Sequence, residues 1–166
     1  MALSQAHFQR LVTEHGPTLY RMAYRMVGHS QEAEDIVQDT YRSAWKSRKN
    51  FREGYSERAW LATILRRRTV DRWRNKPQPK TLSETEGLDV AAPHEDFFAD
   101  QYTDEMQAAL HKISPELRDC LLMVVVGELT HQETADALSI PLGTVLSRVS
   151  RARKQLRKAL MAVVEH

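Results

Sequence analysis

The sequence predicts an all-α protein of two small helical domains joined by an acidic flexible linker, with a helix-turn-helix in the second domain. Apolar residues recur at helical spacing in both halves of the 166-residue chain, as they do along amphipathic helices. No segment alternates convincingly like a strand, although Met123–Val126 is ambiguous by propensity alone. Residues 76–93 are rich in proline, glycine and polar residues and lack an apolar period, which is typical of a linker. We therefore expect a first domain at 1–75, a linker at 76–100 and a second domain at 101–166.

The first domain should contain several helices. Gly16 and Pro17 interrupt the first apolar pattern and predict a broken helix pair, because proline disrupts a helix interior. Ser30 is expected to cap the next helix, since its side chain can accept a hydrogen bond from a free backbone donor. Ser56 can cap a third long helix that runs to about Asn75. The buried face of the helix after Ser30 should comprise Ala33, Ile36, Val37, Thr40, Tyr41 and Ala44.

The second domain should begin with two helices. Residues 97–112 have the pattern of an amphipathic helix. Ser114 and Pro115 then open a largely apolar helix, because proline is well tolerated in the first helical turn, and Gly127 ends it. Cys120 lies in this apolar stretch, where a small buried hydrophobe is its expected role. This helix should form the core of the domain.

The segment from Thr130 to Leu160 has the pattern of a helix-turn-helix. Thr130 and Glu133 can form a capping box that opens a short helix. Pro141 cannot continue a helix interior, and Gly143 with Thr144 starts a second helix with one apolar stripe. Basic residues off this stripe can neutralise phosphates while the helix start reaches base edges in a major groove, so the pattern predicts DNA binding rather than a merely solvated helix. These residues are Arg148, Arg151, Arg153, Lys154, Arg157 and Lys158.

Charge is strongly segregated along the chain, although the formal net charge is only +2. Residues 1–75 hold 14 Lys/Arg and 8 Asp/Glu, a net +6, whereas residues 76–105 hold 2 and 8, a net −6. The part from Leu142 onward is basic again, at +5. Two basic ends can each meet nucleic acid, while an acidic connector is repelled by it or imitates it.

Several classes of function are disfavoured. No apolar run approaches the ~18 residues of a membrane span, and the first residues lack the pattern of a secretory signal, so we expect a cytoplasmic protein without membrane insertion. The seven histidines are scattered, without metal-ligand spacing on one helix face. We expect no metal, no cofactor, no catalytic residues and no small-molecule substrate.

Both halves, in this order, resemble the extracytoplasmic-function (ECF) class of bacterial RNA polymerase sigma factors, within the sigma-70 superfamily. The stretch AEDIVQDTY at 33–41, followed by Ala44 and Trp45, resembles the helix with which that family binds core polymerase. The resemblance to its −35 recognition domain lies in ISPEL at 113–117 and IPLGTVLSR at 140–148, followed by RAR at 151–153. The resemblance to its promoter-melting helix lies in Trp60, Leu61, Ile64, Arg66, Asp71 and Arg74.

The resemblance implies three sets of site residues and three partners: core RNA polymerase, promoter DNA and an anti-sigma factor. The polymerase contacts would be Asp35, Gln38, Asp39 and Arg42. The −10 element would be bound and melted by Asn50, Phe51, Arg52, Tyr55, Arg66, Arg67 and Arg74, although Phe51 packed inward in a plain loop is an open alternative. The −35 element would be bound by Thr144, Leu146, Ser147, Arg148, Ser150, Arg151 and Lys154.

The chain departs from the family pattern in each half. Three consecutive arginines at 66–68 span about 200° of a helix, so they cannot all face DNA; we expect Arg68 to lie over the core and Asp71 to hold a neighbouring arginine. Leu146 stands where the family often has a basic residue and can contact thymine methyl groups. Ser139 replaces the usual turn glycine, and Thr134 occupies a usually apolar position.

Three other functions compete with this interpretation. A helix-turn-helix regulator that does not bind polymerase leaves the polar helix at 35–45 unexplained. A sigma mimic that only sequesters an anti-sigma factor needs no basic recognition helix. The third alternative, an enzyme, is disfavoured because the sequence shows no paired carboxylates, no nucleophile with its base and no metal-ligand spacing. We also expect a compact resting state, shielded by the acidic linker or by a partner.

Overall fold

The computed structural model describes residues 3–52, 54–74 and 102–164, and in this part of the chain every regular element is helical. This confirms the all-α prediction. The expected linker at 76–100, its shielding role and the first residues of the helix predicted at 97–112 lie outside the described residues. The helices are α1 (Gln5–Val27), α2 (Ser30–Lys46), α3 (Glu57–Arg74), α4 (Tyr102–His111), α5 (Pro115–Val125), α6 (His131–Leu138) and α7 (Leu142–Val164), with a 3₁₀ turn at Arg48–Asn50.

Helix α1 runs without a break through Pro17, so the predicted broken helix pair is wrong. Proline removes one backbone donor from a helix interior, but the side chains before and after Pro17 share one buried stripe that the continuous helix keeps intact. Packing of that stripe outweighs the lost hydrogen bond. The stripe consists of Leu11, His15, Leu19, Met22, Ala23 and Met26.

The predicted cap of α3 is confirmed, whereas the predicted cap of α2 is wrong. Ser30 is the first residue of α2 rather than its cap, because the His29 side chain accepts the bond from the Glu32 amide at 3.3 Å. Ser56 caps α3 as expected: its Oγ accepts from the Ala59 amide at 3.1 Å.

The buried face of α2 is the expected one, except that Tyr41 is only half-buried. Burial raises the pKa of the Tyr41 phenol. Its hydroxyl lies 3.0 Å from the point that a Cβ on Gly16 would occupy. Residue 16 therefore has little room for a side chain where α1 crosses α2.

The helix-turn-helix is formed by α6 and α7. Both halves of the capping box are present: Thr130 Oγ1 accepts from the Glu133 amide at 3.0 Å, and Glu133 Oε1 accepts from the Thr130 amide at 2.9 Å. Thr134 is fully buried, and its hydroxyl donates to the Thr130 carbonyl at 2.9 Å. Helix α7 begins at Leu142, one residue before the predicted start. Its stripe is deeply buried at Val145, Val149 and Ala152 and half-buried at Leu156, Ala159 and Leu160.

Ser139 ends α6 in the left-handed region, with φ 56° and ψ 45°. Replacing it with glycine is expected to stabilise the protein by about 0.5–1 kcal/mol, because a side chain is disfavoured at positive φ and glycine is not. Urea unfolding measures the difference. Ser150→Gly, at an exposed position inside α7, is the control and should destabilise by about 0.5 kcal/mol, the difference between the helix propensities of serine and glycine. A destabilised Ser139→Gly variant would contradict the strain argument.

Helices α1–α3 and α4–α7 form two groups that pack against each other, with α1 against α5 and α3 against α6. Their buried apolar side chains form one continuous cluster. Polar contacts cross the junction: Gln107 Nε2 donates to the Arg25 carbonyl at 3.0 Å, and Arg66 Nε lies 3.5 Å from Asp119 Oδ2. Arg58 Nη1 lies 3.3 Å from the Glu128 carboxylate. The described part of the chain is therefore compact.

Candidate functional site

The exposed side of α2 carries a polar face of Asp35, Gln38, Asp39 and Arg42. The Asp35 and Asp39 side chains are 44% and 38% exposed, and that of Arg42 is 72% exposed. Arg42 Nη1 lies 3.2 Å from Asp39 Oδ1. These side chains can therefore reach a partner without rearrangement of the helix.

Arg72 of α3 organises this face, and the sequence interpretation did not assign it a place there. Its guanidinium lies 3.3 Å from Asp35 Oδ2 and 3.5 Å from Asp39 Oδ2, and its Nε lies 3.9 Å from Glu32. The two carboxylates are thus held in position across the α2–α3 contact. Arg72 lies 33 positions after Asp39 and 37 after Asp35, so the sequence alone does not indicate that these residues are in contact.

Trp45, at the end of α2, is half-buried. Its ring packs edge-on against Phe8 with centroids 5.1 Å apart, and the Arg48 guanidinium lies 4.0 Å from its centroid. Such an arginine–tryptophan contact is favourable because the ring face is electron-rich.

The loop at 47–56 joins α2 to α3. Tyr55 is 61% exposed, and Asn50 and Arg52 are exposed as well. Phe51 is 6% exposed and packs edge-on against Trp60 at 5.2 Å, so the alternative in which Phe51 packs inward is the observed one. Phe51 is a support of the loop in this conformation, whereas the other three side chains are accessible.

A cavity of about 420 Å³ lies beside this loop. Its walls come from the loop, from α3 including Trp60 and Arg67, and from Glu133 and Asp136 of α6. The carboxylates belong to the second helix group, so the cavity exists only while the groups are packed together. An acidic wall disfavours a phosphate in the cavity.

The three consecutive arginines of α3 have different surroundings, as their angular spread requires. Arg66 Nε lies 3.5 Å from Asp119 Oδ2 in α5. Burial raises the pKa of Asp119 above its ordinary value, although the nearby Arg66 and Arg118 partly oppose this shift. Arg68 donates to Asp71 at 2.7 Å, which confirms the structural role expected for Asp71. Arg67 is exposed, as is Arg74 near the end of the helix.

Trp73 of α3 is 65% exposed, and sequence reasoning missed it. The signal was an aromatic residue directly beside Arg74 at the helix end. An exposed indole next to guanidinium groups offers a surface on which an unpaired base can stack.

Helix α7 presents most of its predicted site residues to solvent. Leu146 is 49% exposed, and Ser150, Arg151 and Lys154 are exposed. Arg148 instead is half-buried, with Nη2 3.9 Å from Glu116 of α5. Beyond these, Arg153, Arg157 and Lys158 are exposed, whereas Thr144 and Ser147 are half-buried.

Cys120 is fully buried in α5, as expected, and burial raises the pKa of its thiol. Among the described helices, none is long and apolar enough to cross a membrane.

The sequence matches the Sigma-70 region 2 family over residues 11–77 and the Sigma-70 region 4 family over residues 103–156. It is 30% identical to the ECF RNA polymerase sigma factor SigW of Bacillus subtilis, over 94% of this chain and 90% of that protein. It is 33% identical to the ECF sigma factor SigE of Mycolicibacterium smegmatis, over 92% of this chain and 61% of that protein.

Two solved structures share the fold. The sigma factor RpoE of Bartonella quintana, in complex with the anti-sigma factor NepR, superposes with a TM-score of 0.77 and 27% identity, covering 93% of this chain and 96% of that one. CnrH, in complex with the cytosolic domain of CnrY, gives a TM-score of 0.73 at 24% identity, covering 96% of this chain and 90% of that one. The matches to regions 2 and 4 coincide with the two helix groups and show a protein of the sigma-70 type. The chain belongs to the family of ECF RNA polymerase sigma factors.

Proposed function

We propose that this protein is an alternative sigma factor that binds core RNA polymerase, directs it to −10 and −35 promoter elements and helps to melt the DNA. The observation that carries the proposal is that one chain presents an accessible polar face on α2 and an accessible basic face on α7, inside the two matched sigma regions. It acts in the cytoplasm, where polymerase and genome are found. Its role is binding and positioning, without catalysis, cofactor or small-molecule substrate.

The two helix groups correspond to two functional domains. Residues 1–75 form the region 2 domain, which binds polymerase and the −10 element, and residues 101–166 form the region 4 domain, which binds the −35 element. Residues 76–100 link them. The two family matches, over residues 11–77 and 103–156, support this division.

The polar face of α2 is the polymerase contact. Asp35, Gln38, Asp39 and Arg42 together offer both acceptors and donors, which suits a charged helical partner.

Promoter melting requires a base to leave the stack, at a cost of a few kcal/mol. Tyr55 and Trp73 offer exposed aromatic surfaces for a displaced base. Arg67 and Arg74 are exposed on α3 and can contact the DNA backbone. Asn50 and Arg52 complete the surface, with Phe51 supporting the loop from below, and Arg66 becomes free once its contact with Asp119 is broken.

The −35 element is bound by the first half of α7. Leu146 is exposed and can contact a thymine methyl group, while Ser150 and Arg151 lie one turn further along the helix. Arg151 and Lys154 contact phosphates. Thr144, Ser147 and Arg148 complete the set at the groove, and Arg148 reaches it by leaving Glu116, whose side chain is 74% exposed.

The packed arrangement of the two groups must open on a promoter. The −35 and −10 elements are centred about 25 base pairs apart, which is about 85 Å along the duplex at 3.4 Å per base pair. A compact chain of this length is only about 40 Å across. The cross-group contacts of Gln107, Asp119 and Glu128 would therefore break when both elements are bound.

An anti-sigma factor controls this opening. RpoE and CnrH, with which this chain shares its fold, were each solved in complex with a partner protein, and NepR is named as an anti-sigma factor. A partner that covers both groups while they are packed would hide the polar face of α2. It would also keep Glu133 and Asp136 of α6 beside the loop at 47–56.

Energy transfer between the two groups tests the proposal. Arg10→Cys and Lys112→Cys place dyes at exposed positions of α1 and next to α4, and the native Cys120 is too deeply buried to be labelled. With core polymerase at saturating concentration, the labelled protein should co-elute with polymerase. Added promoter DNA should then lower the transfer efficiency, because the two helix groups move apart. A helix-turn-helix regulator that acts alone would bind DNA but not polymerase, and that result would refute the proposal.

A further inference from the structure

His15 lies on the buried stripe of α1, beneath the start of α3. It is 7% exposed, and its Nε2 has no hydrogen-bond partner among the described residues. This nitrogen lies 3.5 Å from a Glu57 carboxylate oxygen, within ion-pair range but without a hydrogen bond, so its surroundings call for an explanation. Neutral imidazole is also the side chain that most often binds transition metals in proteins.

Two carboxylates lie next to this nitrogen. Glu14 and Glu57 each offer an oxygen, and these oxygens and the histidine nitrogen all lie within 4.8 Å of one another. His15 Nε2 is 3.5 Å from Glu57 Oε2. Ligands at about 2.0–2.2 Å from a tetrahedral zinc ion are about 3.3 Å from each other, so this pair already has nearly the required spacing. Glu14 is exposed, and its carboxylate oxygen lies within 4.8 Å of both of these atoms.

His7 supports the group from outside. Its Nε2 lies 2.8 Å from Glu57 Oε1, the carboxylate oxygen that does not face His15. A hydrogen bond to the far side of a ligand fixes its orientation, as in most metal sites of proteins.

We propose that Glu14, His15 and Glu57 bind a divalent transition-metal ion of the zinc type, with His7 orienting Glu57. The imidazole ligand favours zinc and its neighbours over magnesium or calcium, which prefer oxygen ligands alone. Three protein ligands leave a fourth position for water. The ion would join α1 to the first turn of α3, directly after the 47–56 loop; His7 also packs edge-on against Phe51 of that loop, with ring centroids 6.4 Å apart.

Zinc titration of the chelator-treated full chain tests the site. A chromogenic zinc indicator in competition should report one zinc ion per chain, and the melting temperature should rise by several degrees at saturation, since an ion that binds only the folded state stabilises it. Magnesium at the same concentration should leave the melting temperature unchanged.

Glu14→Gln is the decisive variant because Glu14 is exposed and its loss leaves the core intact. It should weaken zinc binding by at least about tenfold, and His7→Ala by about tenfold through the lost orientation of Glu57. Glu105→Gln and His131→Ala, in α4 and α6, are the matched controls and should bind zinc like the unaltered chain. Absence of saturable binding would show that His15 and Glu57 form only an ion pair, and equal zinc affinity in Glu14→Gln and Glu105→Gln would place the ion elsewhere; either result overturns the proposal.

Discussion

Charge reversal at both Asp35 and Asp39 is expected to weaken binding of core polymerase by about 30-fold or more. Truncation of a hot-spot residue near the centre of an interface costs about 2 kcal/mol or more. Lysines in place of the two aspartates would in addition repel the positive charges of a partner that binds carboxylates. Titration of labelled core polymerase measures the change. Circular dichroism melting of the same variant reports any loss of folding.

The pairing of both carboxylates with Arg72 calls for two further variants. Asp35→Asn with Asp39→Asn keeps the side-chain shapes and removes the charges, whereas Arg72→Gln removes the ion pairs and keeps both carboxylates. Asparagine should weaken polymerase binding, and Arg72→Gln should leave it within about threefold, because partly exposed ion pairs contribute little to stability. Equal losses in the two variants would mean that the carboxylates act only by holding α3, and the polymerase assignment would be wrong.

Replacing Arg151 and Lys154 together with alanine is expected to reduce binding to −35 duplex by about 100-fold at low salt. Both side chains are exposed on α7, one turn apart. Each lost phosphate contact lowers the slope of log affinity against log salt by about 0.9, so the slope should fall by about 1.8. Fluorescence anisotropy over a range of salt concentrations measures both quantities.

Lys112→Ala is the matched control for this pair. Lys112 is an equally exposed cation of the same helix group, but it lies directly after α4 and outside α7. Its salt slope should match that of the unaltered chain. If Lys112→Ala lowers the slope as much per charge as the double variant does, the duplex responds only to the general positive charge of the chain and α7 does not enter the groove.

Features set by neighbouring residues could be predicted from the sequence. The capping box of Thr130 and Glu133 spans three positions, and the Ser56 cap and the apolar stripe of α7 depend on equally short spacings. Local chemistry determines such elements, so reading the residues in order is sufficient. The pairing of Arg68 with Asp71 is of the same kind.

Features that depend on tertiary packing could not be predicted from the sequence. The sequence around Pro17 signals a break, and only the packing of its neighbours in the shared core keeps α1 continuous. Histidine is an uncommon cap, so His29 was overlooked in favour of Ser30. Arg72 reaches the α2 face, and Glu57 reaches His15, from more than 30 positions away, so neither cluster has a spacing that a single sequence reveals.

Mapping of transcript starts tests the central claim most directly. Purified protein and core polymerase would be combined with fragmented genomic DNA, and the 5′ ends of the transcripts compared with those made by core polymerase alone. A sigma factor should yield a discrete set of new starts, each preceded by the same pair of sequence elements near −10 and −35. If the protein adds no starts, or adds starts without shared upstream elements, it does not direct polymerase to promoters.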